Sequence, residues 1–202
     1  MKKIMLLVAL MVATVGAKAQ AEVGTVTLKP TVGMTLANVT DAENNSMKVG
    51  LIAGVEAEYQ VIPMLGISVG ALYSMQGCSY DDLMVNGTGL KDNKTELDYL
   101  NIPILANVYV AKGLAIKAGI QPAFCLSAKD KYTAVANGAE VKVEEDLDEK
   151  KSFDFSIPVG LSYEYSDFVL DARYNFGLTK VADGTDSKNS VFQITLGYKF
   201  AL

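Results

Sequence analysis

Three segments near the C-terminus place large apolar residues on every second position. Phe192, Ile194, Leu196, Tyr198 and Phe200 alternate with Gln193, Thr195, Gly197 and Lys199. Phe153, Phe155, Ile157, Val159, Leu161, Tyr163 and Tyr165 alternate with Asp154, Ser156, Gly160, Ser162 and Glu164, and Leu170, Ala172, Tyr174 and Phe176 with Asp171, Arg173 and Asn175. A period of two lines one face of a strand, whereas a helix would scatter these residues around its circumference. Thr27–Ala37, Val49–Gln60, Ile67–Gln76, Tyr99–Val110 and Leu114–Ala128 carry weaker versions of the same alternation, which brings the strands to eight. An even number of antiparallel strands closes a barrel with both termini on one side.

The connections sort by length. Asn38–Lys48, Gly77–Asp98, Lys129–Ser152 and Thr179–Ser190 are long and polar. They alternate with the short Val61–Gly66, Ala111–Gly113 and Ser166-Asp167. Long outer loops alternating with short periplasmic turns are the pattern of outer-membrane barrels. Half the residues are apolar and the mean hydropathy is +0.22, yet beyond the N-terminal segment no run is long enough for a transmembrane helix. A barrel resolves this, because lipid-facing residues are diluted one in two. The expected fold is therefore an all-β, eight-stranded, antiparallel up-and-down transmembrane barrel.

Aromatic placement points the same way. On the apolar face, Tyr73, Phe124, Phe153, Phe155, Tyr174, Phe176 and Phe192 stand at the long-loop ends of strands, and Tyr59, Tyr163, Tyr165 and Phe200 at the short-turn ends. The residues between them are aliphatic, for example Val55, Ile104, Ile116, Ile157 and Leu196. Two girdles around an aliphatic band suit a bilayer, whose headgroup level favours amphipathic rings. Pro103, Pro122 and Pro158 fall inside proposed strands and each removes a ladder hydrogen bond; bulges are the expected remedy.

Residues 1–19 read as a secretory signal: Lys2 and Lys3, then the apolar Ile4–Val15, then Ala17-Lys18-Ala19 as a small-x-small cleavage site. Residues 20–202 form the barrel domain. Cleavage removes three of the 18 Lys and Arg and none of the 23 Asp and Glu, leaving 15 against 23 and a formal charge of −8. Such a chain has no electrostatic reason to bind nucleic acid.

Several stretches carry a family likeness. They are Ala71-Leu72-Tyr73-Ser74-Met75-Gln76-Gly77, Leu97-Asp98-Tyr99-Leu100-Asn101-Ile102-Pro103, Ala118-Gly119-Ile120-Gln121-Pro122, Asp171–Leu178 and the ending Leu196-Gly197-Tyr198-Lys199-Phe200. In this ordered set the chain resembles the PorT-like outer-membrane β-barrel proteins, which share the architecture of OmpA- and OmpX-type barrels. The resemblance implies an outer-membrane barrel, in some members linked to protein secretion, and transfers no catalytic residues; the proline of Asn101-Ile102-Pro103 belongs to the family pattern. Ala201 and Leu202 depart from it, since such barrels often finish on the aromatic.

The chain has no histidine, which removes Ser-His-Asp and Cys-His catalysis and His-based zinc sites. Asp81-Asp82 is a nominal carboxylate pair that reads more simply as a solvated loop; no enzyme activity, cofactor or metal is expected. Cys78 and Cys125 should both face the bore two strands apart, about 9–10 Å at the usual strand spacing, too far for a disulfide unless the strand ends bend. The informative charges alternate with the apolar stripe: Glu56, Glu58, Lys117, Glu164, Asp171, Arg173 and Lys199. An eight-stranded barrel has room inside only for side chains, so these predict an ionic plug around Arg173 with Glu56 as its partner; a narrow ion pathway is the alternative. The acidic run Glu144–Glu149 lacks EF-hand spacing and reads as solvated surface, able to meet lipopolysaccharide through divalent cations. Tyr132–Val143 predicts a hairpin turning at Asn137-Gly138 and a flap beyond the membrane that offers a protein partner an edge. The expected state is a monomer in the outer membrane, with a structural, adhesive or envelope-assembly and secretion-accessory role. A soluble lipocalin-like ligand-binding barrel, with its faces reversed, and a histidine-free hydrolase are the rivals.

Overall fold

The computed structural model describes residues 22–40, 45–85, 88–136, 139–147, 151–181 and 186–202. The signal features at 1–19, the Asn137-Gly138 turn and the end of the acidic run, Asp148 and Glu149, lie outside the described residues.

Twelve strands are present among the described residues: β1 (Val26–Val39), β2 (Asn45–Ile62), β3 (Leu65–Tyr80), β4 (Leu83–Val85), β5 (Thr88–Asn101), β6 (Ile104–Ala111), β7 (Leu114–Ala136), β8 (Ala139–Asp146), β9 (Phe153–Tyr165), β10 (Phe168–Lys180), β11 (Lys188–Tyr198) and β12 (Phe200–Ala201). Each pairs antiparallel with its neighbours. They make a ring of eight staves in the order β1, β2, β3, β5 with β6, β7, β9, β10, β11, and β11 returns to β1 with Thr31 opposite Gly197 and Val39 opposite Asn189. The tight turn between β9 and β10 puts both Ser166 and Asp167 at positive φ (46° and 73°), the two-residue geometry whose twist matches that of the flanking strands. A turn of the same length joins β6 to β7, where Gly113 takes the positive φ of 71°.

Alternation along each strand becomes inside and outside. Leu51, Val55, Ile116, Val159, Leu161 and Leu196 are exposed on the outer wall, while Glu56, Lys117, Asp171, Arg173 and Gln193 are almost wholly buried. This polarity is the reverse of a lipocalin-like barrel, whose bore would be apolar. The upper bore does hold apolar side chains, with Leu97, Tyr99, Ala123 and Ala128 packed together.

Two sequence expectations need correction. No register shift occurs at any of the three prolines. Asn101 faces Ala123 and Ile104 faces Ile120 in one register, so β5 and β6 are a single stave that leaves the ladder for two residues. There Ile102 N–H donates to the Pro122 carbonyl at 2.8 Å and Gly70 N–H to the Pro103 carbonyl at 2.9 Å, so neighbouring backbone fills the gap without an extra residue. Opposite Pro158 the β7–β9 ladder pauses between Ala118–Val159 and Gln121–Ser156 and resumes unshifted. Shifts lie elsewhere, among them one between Asp98 and Tyr99 on β5 and one between Met47 and Ile52 on β2.

The long connections are largely not loops. A membrane-spanning strand needs about 9–11 residues, and β7 has 23. Its excess pairs with β5 from Gly89–Val135 to Glu96–Lys129, and with β8 from Lys129–Asp146 to Ala136–Ala139. With β4 on β5, this makes a four-stranded sheet standing beyond the ring. The 77–98 and 129–152 stretches are thus mainly strand. They lack an apolar stripe because neither face of a projecting sheet meets a core or hydrocarbon.

Candidate functional site

The seven charged residues expected inside the bore divide into two clusters. The first lies among β1, β2, β7 and β10. Arg173 donates through Nη2 to Glu56 Oε1 at 2.5 Å and through Nε to Asp171 Oδ1 at 2.6 Å. Lys117 Nζ stands 2.6 Å from Asp171 Oδ2, and Lys29 Nζ 2.6 Å from Glu56 Oε2. Longer contacts join Lys29 to Asp171 at 3.9 Å and Lys117 to Glu56 at 4.0 Å. Three cations thus surround two carboxylates, all nearly inaccessible. The backbone makes room for them with glycine. A Cβ on Gly160 would lie 2.6 Å from Arg173 Cγ, one on Gly70 2.8 Å from Glu56 Cγ, and one on Gly197 2.8 Å from Lys29 Cγ.

The second cluster lies nearer the chain termini and holds Glu58, Glu164 and Lys199. Lys199 Nζ is 2.7 Å from Glu164 Oε2 and 3.5 Å from Glu58 Oε1, and donates to the Tyr109 hydroxyl at 2.9 Å. Tyr109 donates in turn to Glu58, whose other oxygen accepts Asn107 Nδ2 at 2.8 Å. The single group of seven expected from sequence is therefore two groups at different depths. Strand tilt and stagger, which alternation does not encode, decide which inward residues share a layer.

Sequence reasoning missed Lys29, Tyr109 and a third feature. Lys29 shares the phase of Thr27, Thr31 and Thr35, so alternation along β1 was the signal that could have found it. Tyr109 points inward although the other aromatics singled out lie on the outer face. At the projecting end, buried Asp154 accepts from the Thr179 hydroxyl and from Asn189 Nδ2 at 3.2 Å, and no cation among the described residues pairs with it.

The outer wall carries the aromatics where the strands end. Tyr59, Tyr73, Phe153, Tyr165, Phe176 and Phe200 are exposed, and Phe155, Tyr163, Tyr174 and Phe192 half-buried. Phe124 and Phe153 meet edge-on at 5.8 Å, Tyr174 and Phe176 at 4.5 Å. At the opposite end Phe168, absent from the sequence reading, meets Tyr198 at 5.0 Å.

Asp81 and Asp82 are exposed between β3 and β4, and Asp82 accepts the Asp92 N–H at 3.3 Å, as a solvated turn would. Cys78, buried, and Cys125 are both thiols; Cys125 donates to the Ser127 carbonyl at 3.4 Å, within the shift on β7. On the projecting sheet Glu144 accepts from Lys129 at 2.5 Å and lies 3.3 Å from Lys131. Those two hydrogen bonds hold its carboxyl below the usual range.

The profile of the outer membrane protein beta-barrel domain family matches residues 18–183. The chain belongs to this family. Among solved structures, Ail, the attachment invasion locus protein of Yersinia pestis, in complex with the heparin analogue sucrose octasulfate, matches over 88% of this chain and 99% of its own at 14% identity, TM-score 0.50. Neisserial surface protein A matches over 87% and 97% at 12% identity, TM-score 0.48. Designed transmembrane β-barrels match over 90% and 99% at 15% identity, TM-score 0.40. No curated protein matches the chain. Membership of the outer-membrane barrel family gives the exposed apolar wall its solvent: the protein is an integral outer-membrane β-barrel, and the charged cluster lies within its bore.

Proposed function

We propose that this outer-membrane barrel is a non-enzymatic, PorT-like protein whose bore is closed by an ionic plug and whose projecting sheet does its work outside the membrane, as a structural, adhesive or assembly and secretion-accessory surface. Residues 1–19 act as a cleaved signal, both termini face the periplasm, and the ringed aromatics sit at the two lipid headgroup levels. The carrying observation is the Arg173–Glu56 contact at 2.5 Å with its flanking lysines, since a bore crossed by buried ion pairs leaves no continuous water path. Glu144, Glu145 and Asp146 at the end of β8 support contact with lipopolysaccharide through divalent cations, and the expected state is a monomer.

Planar-bilayer recording of the purified protein tests the plug. The expected result is no stable conductance; large, long-lived single-channel openings would establish the pore reading instead. Carbonate washing and unboiled gel mobility test membrane integration, and protease shaving of whole cells tests the orientation. Cleavage between β7 and β8 from outside is expected, and a protected hairpin would reverse the assigned sides.

A further inference from the structure

The two faces of the projecting sheet carry different charges. Leu97 and Ala128, paired across β5 and β7, are buried in the bore, and alternation carries that inner face outward along both strands. Two residues further on, one pairing row joins Cys78, Thr95, Asp130 and Glu145 across β3, β5, β7 and β8. The rows on either side of it, Glu96–Lys129–Asp146 and Lys94–Lys131–Glu144, belong to the opposite face, as do Lys91 and Lys142, both paired with Thr133. All five lysines of the projecting part of β5, β7 and β8 thus stand on the outer face, on the lipid side, with Glu144 and Asp146. The inner face of these strands carries Asp130 and Glu145 and no cation, and neither carboxylate makes an ion pair among the described residues.

The two carboxylates line a cleft of about 310 Å³ together with Thr95, Tyr80 and Tyr132. Thr95 donates to Asp130 Oδ1 at 2.6 Å, which leaves Oδ2 without a donor among the described residues. Tyr80 and Tyr132 lie two residues beyond Cys78 and Asp130, on strands separated by β5, so their backbones are roughly 9–10 Å apart. That spacing admits one flat cation between the rings, inside the roughly 6 Å over which an aromatic face attracts it. Thr95 lies five residues beyond Leu100, whose pairing row holds Tyr73, Phe124 and Phe153. The cleft therefore stands roughly 16 Å along the strand from the girdle, clear of hydrocarbon and facing the mouth of the barrel.

An acidic floor between two rings suits a guanidinium, which is planar, stacks on aromatic faces and forks onto carboxylates. A half-exposed ion pair or cation–π contact is worth only a few-fold in affinity, too little to hold a free amine. Val143, opposite Tyr132, and the exposed Val141 continue the same face and offer apolar contact to the residues flanking a bound side chain. We infer that this cleft docks an arginine of an extended segment of an extracellular protein, its guanidinium between Tyr80 and Tyr132 and hydrogen-bonded to Asp130 and Glu145. The inference rests on the projecting sheet being the working surface outside the membrane, and names the chemistry of its partner.

The test follows the fluorescence anisotropy of an end-blocked heptapeptide with a neutral dye and one arginine flanked by valines. It is titrated with the full barrel in phosphatidylcholine nanodiscs, against empty nanodiscs. Asp130→Asn, Glu145→Gln and Tyr132→Leu should each weaken binding about threefold, the scale of one half-exposed contact. Glu140→Gln, an equal loss of charge outside the cleft, should change nothing. Citrulline in place of arginine should abolish binding, lysine should weaken it about threefold, and equimolar agmatine should not displace the peptide. No binding by folded wild type, equal binding of the citrulline or lysine peptide, or displacement by equimolar agmatine overturns the inference. So does an affinity unchanged in both Glu145→Gln and Tyr132→Leu, or lowered as much by Glu140→Gln. Nanodiscs expose both ends of the barrel, so a failure to bind sinks this inference alone, whereas a projecting sheet protected from protease on whole cells sinks its extracellular assignment.

Discussion

The central cluster makes an asymmetric prediction about which charge it can least lose. Lys29, Lys117 and Arg173 face Glu56 and Asp171, an excess of one positive charge. Glu56→Gln leaves three cations on one carboxylate. Arg173 then keeps only Asp171, and the closest remaining carboxylate to Lys29 is Asp171 at 3.9 Å in place of 2.6 Å. Breaking a buried pair from one side costs about 3–5 kcal/mol, because the orphaned charge stays desolvated. Arg173→Met instead leaves two cations on two carboxylates, with Lys29–Glu56 and Lys117–Asp171 intact at 2.6 Å. Its side chain is similar in length and brings no new charge, so a loss well below the ~3–5 kcal/mol of an orphaned charge is expected, because each remaining carboxylate keeps its lysine. Urea titration of the protein in lipid vesicles, with the folded fraction read from unboiled gel mobility, measures both; the chain has no tryptophan, so fluorescence is a poor probe. An Arg173→Met loss equal to or above that of Glu56→Gln would refute the charge count.

Three further outcomes are expected. Gly160→Val should cost at least about 1–3 kcal/mol, since even a Cβ would come 2.6 Å from Arg173 Cγ and 2.3 Å from the Ala172 carbonyl and overpacking has that scale; an unchanged urea midpoint would contradict the packing. Asp154→Asn should raise the midpoint, because it removes a buried carboxylate that no described cation neutralises while keeping an acceptor for Thr179; a fall would show that the charge is balanced elsewhere. On the projecting sheet the Glu144 carboxyl sits below its ordinary value through Lys129 and Lys131, so its stabilisation is present above the usual carboxylate range and is lost as pH falls through the lowered value. Protection factors across Tyr132–Val143, which allow for the slower intrinsic amide exchange in acid, should therefore fall at low pH, and in high salt at neutral pH, while those of the ring amides hold; a uniform fall in both would be the wrong result.

Much of this fold could be read from the chain. The eight staves were legible because each keeps one greasy and one polar face, and that signal survives even where Pro103 or Pro158 interrupts the ladder. The strand ends were not. Thr88–Leu97 carries Lys91, Asp92, Asn93, Lys94 and Glu96, which reads as loop, because a sheet standing in water needs no apolar side. Within the bore, alternation gave the inward residues but not their depth. Glu58 and Lys199 therefore separated from Arg173, and Lys29 was overlooked on a strand whose inward face is otherwise uncharged, with threonine, glycine, alanine and valine.

The contacts of Arg173 bear on how the ring is assembled. They join a residue of the tenth strand to one of the second, with lysines from the first and seventh, so no contiguous fragment lacking either end of the chain can make them all. A slip of one residue along any of these four staves would turn its charge from the bore to the hydrocarbon. Electrostatics thus acts as a proofreader of closure, penalising a ring sealed in the wrong register.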